Sequence, residues 1–495
     1  MTILFIYDII YLNIGKERRK MENEIKNYLN EHRQDIVEML KDIASIPSVK
    51  GVPSEGVPFG EGCKRVLEKV KEIHKNEGFD TSFGDDCKYL KSTTDGDEKL
   101  IGIFTHADVV PVNEGDWVYT KPFDIIEKDG FLIGRGVHDN KSGVVSALWA
   151  MKALKETGVL PKSRVLIFTG SDEESGMSDI ADFTQKEKMP SFSIIPDNDY
   201  PVCRGEKTIM NFWANFNTPF EDITEIKGGS AFNIVLGKVE IKLRDSEDIA
   251  SELIKAVKNE PHSSVSRADG FITLTSRGIS THAAYPSKSQ NALKFAIDML
   301  EKCSISEKDK AILTSVRPLI SNPFLKDAGL YTTDSEFGDT TCVNGIAETS
   351  GGKLRLSFDC RLGMEVDEVS LIESIKNHLK GIDAEYELKT NLRGYVIPES
   401  DPLVVGIMDA WQEVTGDLEN KPYLSLGGTY SRFLKNAVSI GTHIKKTSPL
   451  DMPSGHGDVH QPDEAIDIDG LLDGIEILSH IIIKVDNILH TDRKA

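Results

Sequence analysis

The chain has 495 residues, 39% of them hydrophobic, so it can bury more than one core and is too apolar to be a disordered protein. Its 79 acidic residues outnumber 58 basic ones and give a formal net charge of −21. This charge argues against binding to nucleic acid or to an anionic membrane surface, so we expect a globular protein of two or more domains.

The start of the chain and its cysteines both favour a cytoplasmic protein. Residues 1–14 are apolar, but Asp8 and Asn13 interrupt them, and they are too short to span a bilayer. They lack a basic leader and a convincing cleavage site, so we interpret residues 1–20 as an upstream extension and Met21 as the biological start. The six cysteines show no zinc-ribbon or redox spacing, which predicts reduced thiols.

Helix and strand patterns alternate from about residue 24 to residue 197. Apolar residues recur at helical spacing over residues 24–43, 64–74 and 141–157. Short apolar runs typical of strands lie at residues 100–105, 131–133, 165–169 and 192–196. This βαβ order predicts an α/β domain with a mostly parallel sheet.

The pattern changes after about residue 204. Strands are predicted at residues 209–216, 238–243, 271–276, 353–359 and 384–390, and helices at residues 249–258, 291–302 and 369–379. The alternation of helix and strand then returns, with a helix at 402–415, a strand at 438–441 and a last helix at about 469–483. We therefore expect an α+β domain at residues 206–403, inserted between the two parts of the α/β domain at residues 21–205 and 404–495.

Potential metal ligands follow each of the four apolar strand patterns in the first domain. In chain order these residues are His106 with Asp108, then Asp139, the doublet Glu173–Glu174, and Asp197. Because ligands gather outside the carboxyl ends of strands in open α/β sheets, we expect these side chains to meet in one crevice. Each motif alone is weak, since Asp139 also suits a helix cap and an acidic doublet is usually solvated.

The doublet Glu173–Glu174 is the most informative of these motifs. Neighbouring carboxylates at the end of a buried strand repel each other unless cations intervene. If one is a metal ligand and the other a proton acceptor, the pair indicates metal-assisted hydrolysis. A further ligand can come from a loop near the end of the chain, which carries both His456 and His460. His282, in a loop between Gly278 and Pro286, is either structural or catalytic.

These ordered motifs resemble the metallopeptidase family of aminoacylase, carnosinase and succinyl-diaminopimelate desuccinylase, and most closely its dipeptidase branch typified by PepV. The resemblance runs from about Met21 to the end of the chain and implies a dinuclear catalytic domain with an inserted lid. It implies two divalent metal ions, zinc first and manganese or cobalt as alternatives, held by His106, Asp139, Glu174, Asp197 and His460. Asp139 would bridge the two ions and precede a cis peptide bond to Asn140.

The same resemblance implies roles for the remaining candidates. Asp108 would orient His106, Glu173 would act as general base on a metal-bridging water or hydroxide, and His282 would stabilise the oxyanion. Substrate binding would fall to lid and loop residues, of which Arg361 is the first choice for the substrate carboxylate: Asn233, Arg361, Arg432, Gly428 and Thr429. An ordinary structural salt bridge is the alternative for both arginines.

Within the family, the length of the insertion favours a monomeric dipeptidase. It is about twice as long as the dimerising lid of the desuccinylase type, and in the PepV type the long lid takes the place of the partner subunit. We therefore predict a cytoplasmic monomer that hydrolyses unblocked dipeptides, with β-alanyl and Xaa-His substrates included. The alternatives are an N-acyl amino acid deacylase or desuccinylase, and a catalytically retired metal-binding protein.

Overall fold

A computed structural model describes residues 23–445 and 451–491, so the predicted extension at residues 1–20 lies outside the described residues. The chain divides into two compact units. The first comprises Met1–Gly205, Ile397–Tyr423 and Thr429–Ala495, and the second comprises Glu206–Val396 and Leu424–Gly428. The predicted domain boundaries, at residues 205/206 and 403/404, stay predictions.

Both units contain helices. Residues 23–31 are helical, and the helices that follow in chain order are α1 (Arg33–Ala44), α2 (Glu61–Asn76), α3 (Lys141–Glu156), α4 (Ser178–Lys186), α5 (Glu247–Val257), α6 (Ala292–Leu300), α7 (Glu307–Ile320), α8 (Glu368–Gly381), α9 (Pro402–Thr415) and α10 (Ile468–His490). Short 3-10 helices cover Asp85–Cys87, Glu114–Asp116, Pro286–Lys288 and Tyr430–Phe433. None of the helices in the described ranges combines the length and hydropathy needed to cross a bilayer.

The strands are β1 (Asp80–Phe83), β2 (Tyr89–Thr93), β3 (Leu100–His106), β4 (Ile126–Lys128), β5 (Phe131–Ile133), β6 (Arg164–Gly170), β7 (Phe192–Asn198), β8 (Cys203–Glu206), β9 (Thr208–Pro219), β10 (Ile223–Gly228), β11 (Lys238–Arg244), β12 (Ser263–Ala268), β13 (Phe271–Arg277), β14 (Thr333–Asp334), β15 (Gly338–Asp339), β16 (Thr341–Ser350), β17 (Lys353–Leu362), β18 (Ala384–Leu392), β19 (Tyr395–Val396), β20 (Tyr423–Ser425), β21 (Ala437–Gly441) and β22 (Ala465–Asp467).

The main sheet of the first unit contains the strands β1-β2-β6-β3-β7-β21 in this order. Strands β6, β3, β7 and β21 run parallel, and β2 pairs antiparallel with β6. Because parallel strands end at the same edge of a sheet, the ends of β3, β6 and β7 open onto one side, where His106 pairs in register with Gly170. The predicted α/β class with a mostly parallel sheet is confirmed.

Burial on both faces explains the composition of the central strands and their helices. All seven residues of β3 are buried, as are nearly all residues of α3 that follow the Asp139–Asn140 turn. A parallel sheet covered by helices on both faces needs such continuous apolar runs. This rigid layer holds the loops at the strand ends, and those loops carry the polar candidates.

A small antiparallel sheet of β4, β5 and β22 brings two distant loops together. Ala465 pairs with Ile133, and the Gly134 amide donates to the Glu464 carbonyl at 2.9 Å. The loop before β22 contains His460, and the loop after β5 contains Asp139. The pairing therefore places these two candidate ligands on adjoining segments.

The second unit is an antiparallel sheet with helices, and the α+β character predicted for the insertion is confirmed. Its strands follow the order β12-β13-β11-β10-β16-β17-β9-β18. Helices α5 to α8 pack on this sheet around a separate apolar core. Each of these helices is preceded by an N-cap residue whose side chain accepts a backbone N–H of the first turn, in chain order Ser246, Asn291, Ser306 and Asp367.

One expectation about the cysteines is wrong. Cys342 on β16 and Cys360 on β17 are register partners, their Cα atoms lie 4.0 Å apart, and the structure joins them as a disulfide. The reason is topological: 18 residues separate the two cysteines, and a hairpin-like return of the chain places them opposite each other. Cys63, Cys87 and Cys303 form no disulfide within the part of the chain that the structure describes.

Candidate metal centre

Five polar side chains from five separate segments converge in the first unit. His106 ends β3, Asp139 precedes α3, and Glu174 lies in the loop after β6. Asp197 lies at the end of β7, and His460 lies in the loop before β22, with a positive φ of 64°. The strands and the small sheet therefore bring together residues that are far apart in the sequence.

Asp139 lies between the two histidines. Its Oδ1 is 3.0 Å from Nε2 of His106, and its Oδ2 is 3.0 Å from Nε2 of His460. His460 Nε2 is also 3.1 Å from Oε2 of Glu174, and His106 Nε2 is 3.7 Å from Oδ2 of Asp197. Each carboxylate oxygen of Asp139 therefore lies beside a different imidazole.

The potential ligand atoms form two overlapping groups. His106, Asp139 and Glu174 offer atoms that all lie within 4.8 Å of one another, and His106, Glu173 and Asp197 form a second such group. The two groups share His106, so they are neighbours. Histidine nitrogen together with carboxylate oxygen suits zinc, manganese or cobalt, and the donor set fits divalent cations of this kind.

The charges of the site also favour bound divalent cations. Burial raises the pKa of Glu173 well above its ordinary value; His106 opposes this shift, and the carboxylates of Asp197, Glu174 and Asp139 add to it. Burial together with Asp139 raises the pKa of Glu174 to about 7. Crowded buried carboxylates are unfavourable without cations, so this cluster fits a metal site better than a structural core.

The surplus of negative charge also shifts the pKa of the histidine that contacts these carboxylates. Burial acts to lower the pKa of His460, but hydrogen bonds to Asp139 and Glu174 raise it to about 11. Burial acts to raise the pKa of Asp139, but hydrogen bonds from His106 and His460 hold it below its ordinary value. In this arrangement the imidazoles supply the positive charge that bound cations would supply.

Asp108 connects the first histidine to the glutamate loop. Nδ1 of His106 lies 3.1 Å from the Asp108 carbonyl oxygen and 3.4 Å from its Oδ1. The Asp108 carboxylate accepts the backbone N–H groups of Glu173 at 3.3 Å and Glu174 at 3.1 Å. The sequence pattern predicts only the contact with His106, whereas the carboxylate also fixes the loop of the doublet.

The peptide bond between Asp139 and Asn140 is cis, as the resemblance implied. The Asn140 side chain donates to the Pro196 carbonyl at 2.6 Å and accepts the His106 N–H at 3.3 Å. Asn140 therefore links the ends of β3 and β7 beside the candidate ligands. This link was not predicted.

A buried ion pair that no sequence pattern predicted joins the two loops. Oε1 of Glu464 accepts the backbone N–H groups of Gly136 at 3.1 Å, His138 at 2.9 Å and Asp139 at 3.0 Å. Its Oε2 lies 2.6 Å from Nη1 of Arg135, whose Nη2 donates to the His460 carbonyl at 3.2 Å. The pair therefore holds the backbones of both loops that carry the candidate ligands.

A second missed residue, Asp179 on α4, supports the loop after β6. Its Oδ2 accepts the N–H groups of Ser171 at 2.7 Å and Asp172 at 2.9 Å, and the Tyr430 hydroxyl at 2.6 Å. Burial raises the pKa of Asp179 to about 7, with a further contribution from Asp108. No local sequence pattern marks this residue, because its partners are mainly backbone groups.

Two lid candidates lie together in the second unit. Nδ2 of Asn233 is 3.4 Å from Nε2 of His282, and Ile234 and His282 form an isolated antiparallel bridge. His282 Nδ1 accepts the Ala284 N–H at 3.3 Å. Asn233 is exposed and His282 is half-buried. The two candidates therefore form one local feature of this unit.

Arg361 has the salt-bridge arrangement that sequence analysis kept as its alternative. It is buried, and its Nε and Nη2 lie 2.7 and 3.2 Å from the two carboxylate oxygens of Asp359. Its Nη1 donates to the Leu426 carbonyl at 2.9 Å, two residues before Gly428. The guanidinium therefore supports the segment that contains Gly428 within the second unit.

The remaining loop candidates lie in the first unit. The side chain of Thr429 accepts the Ser431 N–H and caps the short 3-10 helix Tyr430–Phe433, which contains Arg432. Arg432 is half-buried. Thr429 thus makes a local capping contact, and its contact with substrate stays a prediction.

The doubly covered parallel sheet and the histidine–carboxylate cluster at its strand ends define a metal-dependent hydrolase. Residues 102–484 match the model of peptidase family M20/M25/M40, which is most of the chain. The chain therefore belongs to this family and is a peptidase.

The chain is also similar to named proteins and solved structures. A Staphylococcus haemolyticus protein named "Putative dipeptidase" is 27% identical over 458 residues, 89% of this chain and 95% of that protein. Human carnosine dipeptidase 1 has a TM-score of 0.59 at 14% identity, over 94% of this chain and 99% of that one. The Saccharomyces cerevisiae dipeptidase Dug1p has a TM-score of 0.59 at 13% identity, over 94% and 98%. At this identity the structural likeness shows the fold alone.

Proposed function

We propose that this peptidase is a dinuclear metallo-dipeptidase that hydrolyses unblocked dipeptides. The observation that carries the proposal is the placement of Asp139, whose two oxygens each lie 3.0 Å from a different histidine. Relatives named as dipeptidases support the choice of substrate class. We further propose that the protein works as a cytoplasmic monomer and accepts β-alanyl and Xaa-His dipeptides.

Five residues would hold two divalent cations in this proposal, with zinc as the first choice: His106, Asp139, Glu174, Asp197 and His460. When bound, such cations polarise a substrate carbonyl and make a water molecule acidic near neutral pH. The chain's own residues position the ligands, since Asp108 contacts His106 and Glu464 holds the backbone of Asp139.

Glu173 would take the proton of the attacking water and pass it to the leaving nitrogen. Its side chain has no hydrogen bond to another described residue, although it is crowded by carboxylates. A carboxylate with a raised pKa that is not engaged elsewhere is suited to accept a proton and return it. Glu174, by contrast, contacts His460 at 3.1 Å.

The second unit would supply groups that contact the rest of the substrate. In this proposal His282 stabilises the oxyanion and Asn233 supports it, as their 3.4 Å contact allows. Arg361, together with Arg432, Gly428 and Thr429, would bind or shape the site for the substrate carboxylate. Because Asp359 occupies two donors of Arg361, a direct role for this arginine requires the carboxylate to reach its remaining donors.

A substrate panel tests the proposed function. We expect the metal-loaded protein to hydrolyse Ala-Ala, β-Ala-His and similar free dipeptides, and to be much slower on N-acetyl and N-succinyl amino acids, measured by release of free amino acids. Hydrolysis of the acylated set alone would contradict the dipeptidase proposal and favour a deacylase or desuccinylase. Two bound metals without hydrolysis of any compound would instead indicate a retired metal-binding protein.

Loss of the lid histidine should affect chemistry more than binding. We expect His282→Ala to lower kcat for Ala-Ala by about 10²- to 10³-fold, because one oxyanion donor contributes this much. The KM and the metal content should change little, as determined by steady-state kinetics and elemental analysis. His262→Ala removes another half-buried histidine of the same unit and should leave kcat unchanged. Equal effects of the two substitutions would contradict the role of His282.

A further inference from the structure

A cavity in the first unit lies directly beside the candidate metal centre. It has a volume of about 300 Å³, and two of the candidate ligands, Asp139 and Asp197, contribute to its wall. Cavities that bind small molecules begin at about this volume. A substrate held at the metal centre would therefore have space to place one of its groups here.

The wall of this cavity is strongly acidic. Besides the two candidate ligands it contains Asp199 and Asp458, and it contains no lysine or arginine among the described residues. The side chains of Asp199 and Asp458 make no hydrogen bond or ion pair with another described residue, and neither belongs to the groups whose atoms meet as potential metal ligands. Their charges therefore remain available to a ligand after cations have neutralised Asp139 and Asp197.

A buried hydroxyl provides a second, independent indication of a ligand. Thr442 follows β21, is 3% exposed and lines the same cavity. Its Oγ1 is buried without a hydrogen-bond partner among the described residues. A buried polar group without a partner costs free energy, and this cost is recovered if a bound molecule completes the hydrogen bond.

The backbone around Asp199 is fixed rather than free. The Asp199 N–H donates to the Tyr423 hydroxyl at 2.9 Å and to Oδ1 of Asn198 at 3.1 Å. Asn198 in turn donates to the Ser439 hydroxyl of β21 at 3.2 Å. The Asp199 side chain is thus exposed on a loop whose position is determined by its neighbours, as a recognition group requires.

We propose that this cavity binds the free α-ammonium group of the substrate, with Asp199 and Asp458 as the charged acceptors and Thr442 as a neutral one. An ammonium group carries three donors and one positive charge, which two carboxylates and a hydroxyl match. An N-acyl group offers neither the charge nor three donors, so the cavity selects unblocked peptides. This inference rests on the proposed function, because it assumes that the neighbouring cluster holds the reacting end of the substrate.

Binding of two matched ligands tests the proposal without requiring turnover. Alanine hydroxamate and propionohydroxamate share a metal-binding group and differ only in the amino group. We expect the metal-loaded protein at pH 7 to bind alanine hydroxamate more tightly in calorimetry. Substituting both Asp199→Asn and Asp458→Asn should reduce this preference by about 10- to 100-fold, the effect of losing hydrogen bonds to a charged group. Thr442→Val should reduce it by about 2- to 10-fold.

Controls separate amine recognition from general damage. Asp409→Asn removes another exposed carboxylate of the first unit and should leave the preference unchanged. Elemental analysis should find the same metal content in every variant. An unchanged preference in the double variant, an equal loss of affinity for both hydroxamates, or a loss of metal would each overturn the proposal. If no dipeptide is hydrolysed but the preference falls as expected, the proposed function fails and the amine site stands.

Discussion

Replacing Glu173 with alanine is expected to lower the turnover number for dipeptides by about 10²- to 10⁴-fold, the usual contribution of a general base, while metal ions stay bound. The side chain lies in the crowded cluster but makes no hydrogen bond to another described residue. Its removal takes away no hydrogen bond to the candidate ligands, so the side chains that would hold the metal ions should keep their positions. Steady-state kinetics and elemental analysis of the same preparation measure both quantities.

The neighbouring residue provides the matched control for this prediction. Glu174→Ala removes the carboxylate that lies 3.1 Å from His460 Nε2 and belongs to the group with His106 and Asp139. We expect this variant to bind less metal and to lose activity for that reason, with partial recovery when excess metal is added. Equal metal loss in the two variants, or recovery of Glu173→Ala by metal, would show that the roles of the doublet are exchanged or shared.

The fold of the first unit and the convergence of its candidate ligands could be predicted because their signals are local. The apolar runs that became β3, β6 and β7 are continuous, and polar residues follow each one directly. Parallel strands end at one edge of the sheet, so the topology alone predicted that the polar residues after these strands lie close together. Periodicity also found most helices of the second unit, but it missed α7, which contains Pro318.

The choice between the two histidines of the last loop could not be made from local spacing. Both lie in one short polar segment, yet His456 directs Nδ1 to Asp463 at 2.7 Å, and His460 directs Nε2 to Asp139 and Glu174. The deciding contacts involve residues hundreds of positions earlier in the chain. Only the family resemblance pointed to His460, and the structure brings this histidine to the cluster.

The supporting residues were missed for a related reason. Arg135 and Glu464 are 329 residues apart, and most of their partners are backbone groups, which leave no trace in side-chain spacing. In sequence each one resembles an ordinary charged loop residue. Burial gives them their importance, because a charged pair without solvent must be satisfied by the protein itself.

The Arg135–Glu464 pair should therefore be costly to break. Both residues are buried, and we expect Arg135→Met to lower the free energy of unfolding by about 3–5 kcal/mol, because it leaves the Glu464 charge without its cation. Denaturant titration of the metal-free protein measures this loss. Arg33→Met breaks the exposed Arg33–Asp469 pair, whose side chains are 35% and 61% exposed, and should cost about 1 kcal/mol or less.

A double-mutant cycle distinguishes this pair from two independent residues. If the cost of Arg135→Met arises from the stranded Glu464 charge, adding Glu464→Gln should recover part of it, and the coupling energy should exceed the few tenths of a kcal/mol expected for unrelated sites. Metal affinity should fall about 10- to 100-fold in each single variant, because residues that hold metal ligands in place typically contribute this much. Additive losses would show that Arg135 and Glu464 act independently. Normal metal affinity in an unstable protein would show that the pair stabilises the fold without positioning Asp139 and His460.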